Sequence, residues 1–125
     1  MVVDPWGTRE KYFHFVTNPV ANSLYESAVG LIEDPLHPLF RSMDPSWNGK
    51  WSYLSKRKNN TWSLLFIIPF STIGKKAAPG DMWCFNICRE AFEKGSTQPE
   101  LSCWSPCFEA FTFHEKSTFG ELYFQ

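Results

Sequence analysis

From Lys11 to Phe124 the apolar residues fall in short alternating or continuous runs, divided by clusters of Gly, Pro, Asn and Asp. None of these runs repeats at the three-and-four spacing of an amphipathic helix. Such punctuation predicts antiparallel hairpins. Lys11 to Thr17, rich in aromatic and β-branched residues, reads as a strand closed by Asn18-Pro19, with Asn22 to Ala28 as its partner. Trp51 to Lys56 and Trp62 to Ile68 predict a second hairpin around the Lys58-Asn59-Asn60 turn. The near-continuous apolar run of its second strand predicts burial on both faces. Phe70 to Gly74 reads as one helical turn ended by glycine. Met82 to Arg89 reads as a strand entered through Pro79-Gly80-Asp81, and Phe119 to Phe124 as a last strand. The final residues, 121–125, read equally well as a protease-tag remnant. The stretches 30–49 and 90–111 carry prolines and no period, and predict long loops. The expected fold class is all-β: one antiparallel two-sheet β-sandwich of immunoglobulin or jelly-roll type over residues 1–125.

Composition sharpens this. Of 125 residues 18% are aromatic, including six tryptophans and twelve phenylalanines, more than a core of this size needs. Some rings are therefore expected at the surface, where flat apolar faces bind ligands. Twelve basic residues against thirteen acidic ones leave no field to neutralise a phosphate backbone, so nucleic acid is a poor partner. The one cationic run, Lys56-Arg57-Lys58, reads as a solvated hairpin tip. The longest apolar stretch, Leu64 to Phe70, is too short for a membrane helix and contains Pro69.

Several segments, in order, resemble the family 9 carbohydrate-binding modules. They are Val2-Val3-Asp4-Pro5, Tyr12 through Pro19, Trp47-Asn48-Gly49 with Trp51, and Trp62 through Phe70. Pro79-Gly80-Asp81 with Trp83, Phe85-Asn86 and Arg89-Glu90 follow, then Leu101-Ser102, Trp104-Ser105-Pro106 and Phe119-Gly120 with Leu122. The resemblance spans nearly the whole chain, and its order and spacing are more specific than any single motif. It implies an extracellular or cell-surface β-sandwich that holds glycan ends for a linked or associated glycoside hydrolase, with structural calcium in some members. It also implies an aromatic clamp of two rings. One of them precedes the first motif and has no counterpart here; the other falls nearest Phe113, a smaller ring than the family's tryptophan. The N-terminal strands of the family pattern have no match among these 125 residues, and Leu65 stands where relatives often place a glutamate. Missing strands leave open sheet edges, which predict pairing with a second copy or a complementing chain.

A sugar offers apolar C–H faces and polar rims, so a site for one needs a flat ring beside planar hydrogen-bonding groups. Trp104 and Phe113, with Arg89 and Asn86 on the strand leading into the predicted loop, form the candidate ligand-binding set. Trp47 joins them because it lies in a loop. Packing is the competing reading for each, and the better one for Trp6, Trp51, Trp62 and Trp83. Asp4, Asp34, Asp44 and Asp81 sit in turns, where carboxylates bind backbone amides; Asp4 and Asp81 are the calcium candidates, although no Asp-x-Asp cluster accompanies them. No cofactor is required.

Four cysteines occur as Cys84, Cys88, Cys103 and Cys107. On an extended strand residues four apart are separated by about 13 Å, too far to share one ion, so zinc is the weaker reading. Disulfides in any of three connectivities and buried free thiols stay open. His14, His37 and His114 are scattered, and no nucleophile stands beside a base, so an enzyme is not expected. The leading expectation is non-catalytic binding of β-linked oligosaccharide or polysaccharide of the cellulose or xylan class. An interaction or assembly module is its rival.

Overall fold

The computed structural model of the chain describes residues 1–20, 24–108 and 112–125. Among the described residues ten strands run in chain order as β1 Val2–Asp4, β2 Tyr12–Thr17, β3 Leu24–Val29, β4 Met43–Asp44 and β5 Ser52–Lys58. They continue as β6 Thr61–Ile67, β7 Met82–Asn86, β8 Cys88–Phe92, β9 Pro99–Cys103 and β10 Gly120–Tyr123, with one α-helical turn, α1 Phe70–Ile73, and a 3-10 turn at Lys116–Thr118. Six strands form one antiparallel sheet in the order β10-β7-β1-β2-β3-β4; β5-β6 and β8-β9 form separate two-stranded ribbons. The fold is thus an all-β, sandwich-like arrangement of antiparallel sheets that do not close. No described helix is long and apolar enough to cross a membrane.

The aromatic surplus has a structural destination, because the six-stranded sheet is covered on both faces. Period-two alternation sends Val2, Tyr12, Val29 and Cys84 to one face, against Phe119. It sends Phe13, Phe15, Ala28 and Trp83 to the other, against Ile73. The β5-β6 ribbon lies over this second face and forms the thin second layer, with Trp51 edge-on to Phe15 at 5.0 Å between ring centroids. Its turn carries Asn59 and Asn60 at φ 49° and 59°, the doubly left-handed geometry of a tight hairpin turn that asparagine tolerates. Gly74 ends α1 at φ 70°, as the sequence predicts.

Two expectations fail. β6 is not buried on both faces: Trp62, Leu64 and Phe66 turn inward while Leu65 (54%) and Ile67 (45%) are exposed. The physical reason is that a two-stranded layer resting on a sheet has only one covered side. The stretch 90–111 is not one loop either. After Asn86 the strand breaks at Ile87 and resumes as β8, which turns back through β9 in the register Cys88↔Cys103 to Phe92↔Pro99. Pro99 is tolerated because it opens its strand. The predicted start of β3 at Asn22 lies outside the described residues, as does Phe111.

Candidate functional site

The β8-β9 ribbon positions the best-placed ring. Trp104 follows β9, and its N–H donates to the Ile87 carbonyl (2.8 Å), which extends the ladder one step past Cys88↔Cys103. Alternation then sets Ile87, Arg89, Ser102 and Trp104 on one face of the ribbon. Arg89 and Trp104 are diagonal neighbours there, within reach of long side chains. The indole is 58% exposed. It stacks on Phe85 with centroids 4.6 Å apart and planes at 26°. Gly120 lies beneath it, where an added Cβ would overlap the six-membered ring. One face of the ring is therefore seated on protein and the rest meets water.

Asn86 does not reach solvent, contrary to its expected part as a ligand contact. It is fully buried, its Nδ2 donates to the Ser105 carbonyl (2.9 Å), and its Oδ1 accepts the Ser105 N–H (2.9 Å). These two bonds clamp the residue after Trp104, which makes Asn86 a positioning group for the indole. Ser105 Oγ adds a bond to the Thr118 carbonyl (2.5 Å) and ties the clamp to the segment before β10. Trp47 is a core lid: half-buried, 4.9 Å from the Phe13 ring and 5.9 Å from Phe15. Gly120→Ala is expected to push the indole off Phe85, with loss of the Trp104 near-ultraviolet circular dichroism signal and a destabilisation of about 1–3 kcal/mol. An unchanged spectrum would show that the ring is not seated on Gly120.

Phe113 lies elsewhere. With Arg89, Trp62, Phe66 and His14 it lines a broad open groove of about 1580 Å3 between the β5-β6 tip, β2 and β8. Trp104 is not part of that lining, so Arg89 borders both surfaces while the two candidate rings do not face one another. Under the groove His14 packs edge-on to His114 (4.6 Å), whose Nδ1 meets the Tyr12 hydroxyl at 2.8 Å. Burial, then the nearby positive charges of the amino terminus and His114, pushes the His14 pKa down to about 3. Burial lowers His114 as well and pushes the Tyr12 phenol up to about 12. The cluster is neutral at ordinary pH.

Both calcium candidates are already bonded to groups of the protein. Asp4 is fully buried, with Oδ1 accepting the N–H of Trp6 (2.9 Å) and Gly7 (3.1 Å) and Oδ2 that of Arg9 (2.6 Å). Asp81 accepts the Ala78 N–H (3.0 Å) and pairs with Lys75 at 3.5 Å. Among the described residues the one group of three or more potential metal-ligating side chains is of another kind. The sulfurs of Cys88, Cys103 and Cys107 lie within 4.8 Å of one another, each residue half-buried. Cys84 stands apart in the core, and all four are free thiols. Spacing along a single strand could not reveal this trio, because it depends on the β8-β9 pairing. Compared with known proteins, the chain matches no family model, no curated protein and no solved structure.

Proposed function

We propose that the chain is a non-catalytic module that binds β-linked plant-type glycan by stacking a pyranose on Trp104, with Arg89 bonding its hydroxyls. The observation that carries the reading is the indole itself: a large apolar ring, held rigid from below by Phe85 and Gly120 and open above. Exposing such a ring is unfavourable in water, and fixing it beforehand lowers the ordering cost of a ligand that covers it. The Asn86 clamp on Ser105 supports the same purpose. In this reading the module is extracellular or cell-surface and concentrates substrate for a linked or associated glycoside hydrolase.

Titration calorimetry with cello- and xylo-oligosaccharides tests the proposal. Trp104→Ala should weaken binding roughly 10- to 100-fold, and Arg89→Ala roughly 5-fold, with folding unchanged. Equal affinity of wild type and Trp104→Ala would sink it. A calcium-selective chelator should leave affinity unchanged, since both candidate carboxylates already have partners. Release of reducing sugar above blank would replace the module by a hydrolase.

A second reading, assembly with another copy of the chain, is favoured by the outer face of the β5-β6 ribbon. There Leu54 (63% exposed) sits directly opposite Leu65, and Ile67 adds to the patch. Burying it would repay roughly 25 cal/mol per Å2. Sedimentation at micromolar concentration decides: a dimer that Leu54→Glu dissolves supports assembly.

A further inference from the structure

We propose that Cys88, Cys103 and Cys107 form a binding site for one thiophilic d10 cation, zinc(II) or copper(I), that pins the β8-β9 ribbon to the main sheet. The proposal stands apart from the glycan reading and does not depend on it. Zinc–sulfur bonds of about 2.3 Å place tetrahedral sulfurs about 3.8 Å apart, so a trio within 4.8 Å needs only a small contraction. Copper(I) takes three sulfurs in a plane with no fourth ligand, and zinc(II) would complete its shell with solvent. Half-burial suits both, since an ion needs an entry path.

The ligands come from places that need joining. Trp104 N–H bonds the Ile87 carbonyl, so Cys88 and Cys103 are a non-hydrogen-bonded cross-strand pair, the class whose side chains approach most closely. Cys107 comes from the following segment, where Asn86 Nδ2 lies 3.6 Å from its sulfur. An amide N–H directed at sulfur is the outer-shell contact a thiolate ligand uses. The ribbon itself has little else to hold it. Apart from the two cysteines and the half-buried Ala91 and Pro99, its residues are exposed, and a lone two-stranded ribbon is marginal in water. An ion bridging β8, β9 and the loop held by Asn86 on β7 supplies the missing core.

Without an ion the Cys88 and Cys107 thiols stay protonated. Burial, then the neighbouring Cys103 sulfur, raises both Cys88 and Cys107, the latter to about 11. Binding the cation displaces their protons to the buffer, so affinity rises steeply with pH.

The test titrates cobalt(II), as a spectroscopic stand-in for zinc(II), and separately copper(I), into the reduced full chain. Expected is one equivalent per chain, a sulfur-to-cobalt charge-transfer band that zinc(II) bleaches, and proton release. Cys103→Ser should weaken binding by more than the roughly 10- to 100-fold typical of an outer-shell loss; Cys84→Ala should leave it intact. If Cys103→Ser does not fold, alkylation of the wild type provides the reading: the cation should shield Cys88, Cys103 and Cys107 from iodoacetamide. Zinc-bleached cobalt bands assign the site to zinc, and stoichiometric copper(I) binding alone assigns it to copper. No cobalt or copper(I) binding under reducing conditions, or alkylation at equal rates with and without cation, overturns the proposal.

Discussion

Replacing Asp4 with alanine is expected to destabilise the chain by about 3–5 kcal/mol, a large share of the 5–15 kcal/mol typical of a domain. Asp4 ends the central strand β1, and its fully buried carboxylate satisfies three amide donors of the 5–9 turn. Removing it leaves those N–H groups facing a void, each at a cost of about 1–3 kcal/mol unless the turn opens to water. The same bond holds Arg9 at φ 62°, a left-handed conformation that a non-glycine residue keeps only when its surroundings impose it. From there the Arg9 guanidinium bonds the Phe119 carbonyl and pairs with Glu121 Oε1 at 3.0 Å, so the turn straps β1 to β10. Loss of Asp4 therefore propagates to the segment that seats Trp104. Calorimetry should show a melting temperature lower by on the order of 10–15 °C. Asp4→Asn keeps the acceptor for Trp6 and Gly7 but turns an amide toward Arg9, and should fall about midway. A loss under about 2 °C for Asp4→Ala would mean that the turn finds other acceptors.

What the sequence revealed, and what it concealed, has a common physical cause. β2, the β5-β6 ribbon and α1 were legible because burial and turn chemistry write themselves locally, in Tyr12 through Thr17, Asn59-Asn60 and Gly74. The turn aspartates behave as their residue type predicts: Asp34 and Asp44 each accept an N–H two residues on. β8 and β9 were illegible because an outlying ribbon shows solvent on most of its surface. Arg89, Glu90, Glu100 and Ser102 therefore carry no apolar alternation. The Cys88–Cys103–Cys107 grouping was invisible for the same reason, since it exists only through that pairing. At the candidate site the exposed Trp104 was legible from the aromatic excess. The role of Asn86 was not, because a sequence does not say whether a polar residue on a strand faces water or a loop.

Acidification should weaken the fold before most of its carboxylates protonate. His14 lies on the covered face of β2, opposite Val2, with its ring against His114 and its Nδ1 buried without a hydrogen-bond partner among the described residues. Burial holds its folded pKa down at about 3, against about 6.5 in the unfolded chain. The unfolded state thus takes up the proton first. The stability tied to neutral His14 is fully present above pH 6.5 and drains away as pH falls toward 3, by about 1.4 kcal/mol per unit. His114 is lowered by burial too, and acts in the same direction over the start of that window. Glu33, exposed, and Asp44, half-buried, are also lowered, by bonds to Lys11 and Ser46, and titrate further down. Between pH 7.5 and pH 5 the free energy of unfolding in urea should therefore drop by about 2–3 kcal/mol at constant m value. His14→Gln keeps a polar side chain but cannot gain a proton, and should flatten most of that slope. A wild-type profile level down to pH 5 would show that the imidazole takes up its proton without unfolding the strand, and that the face covering β2 admits water.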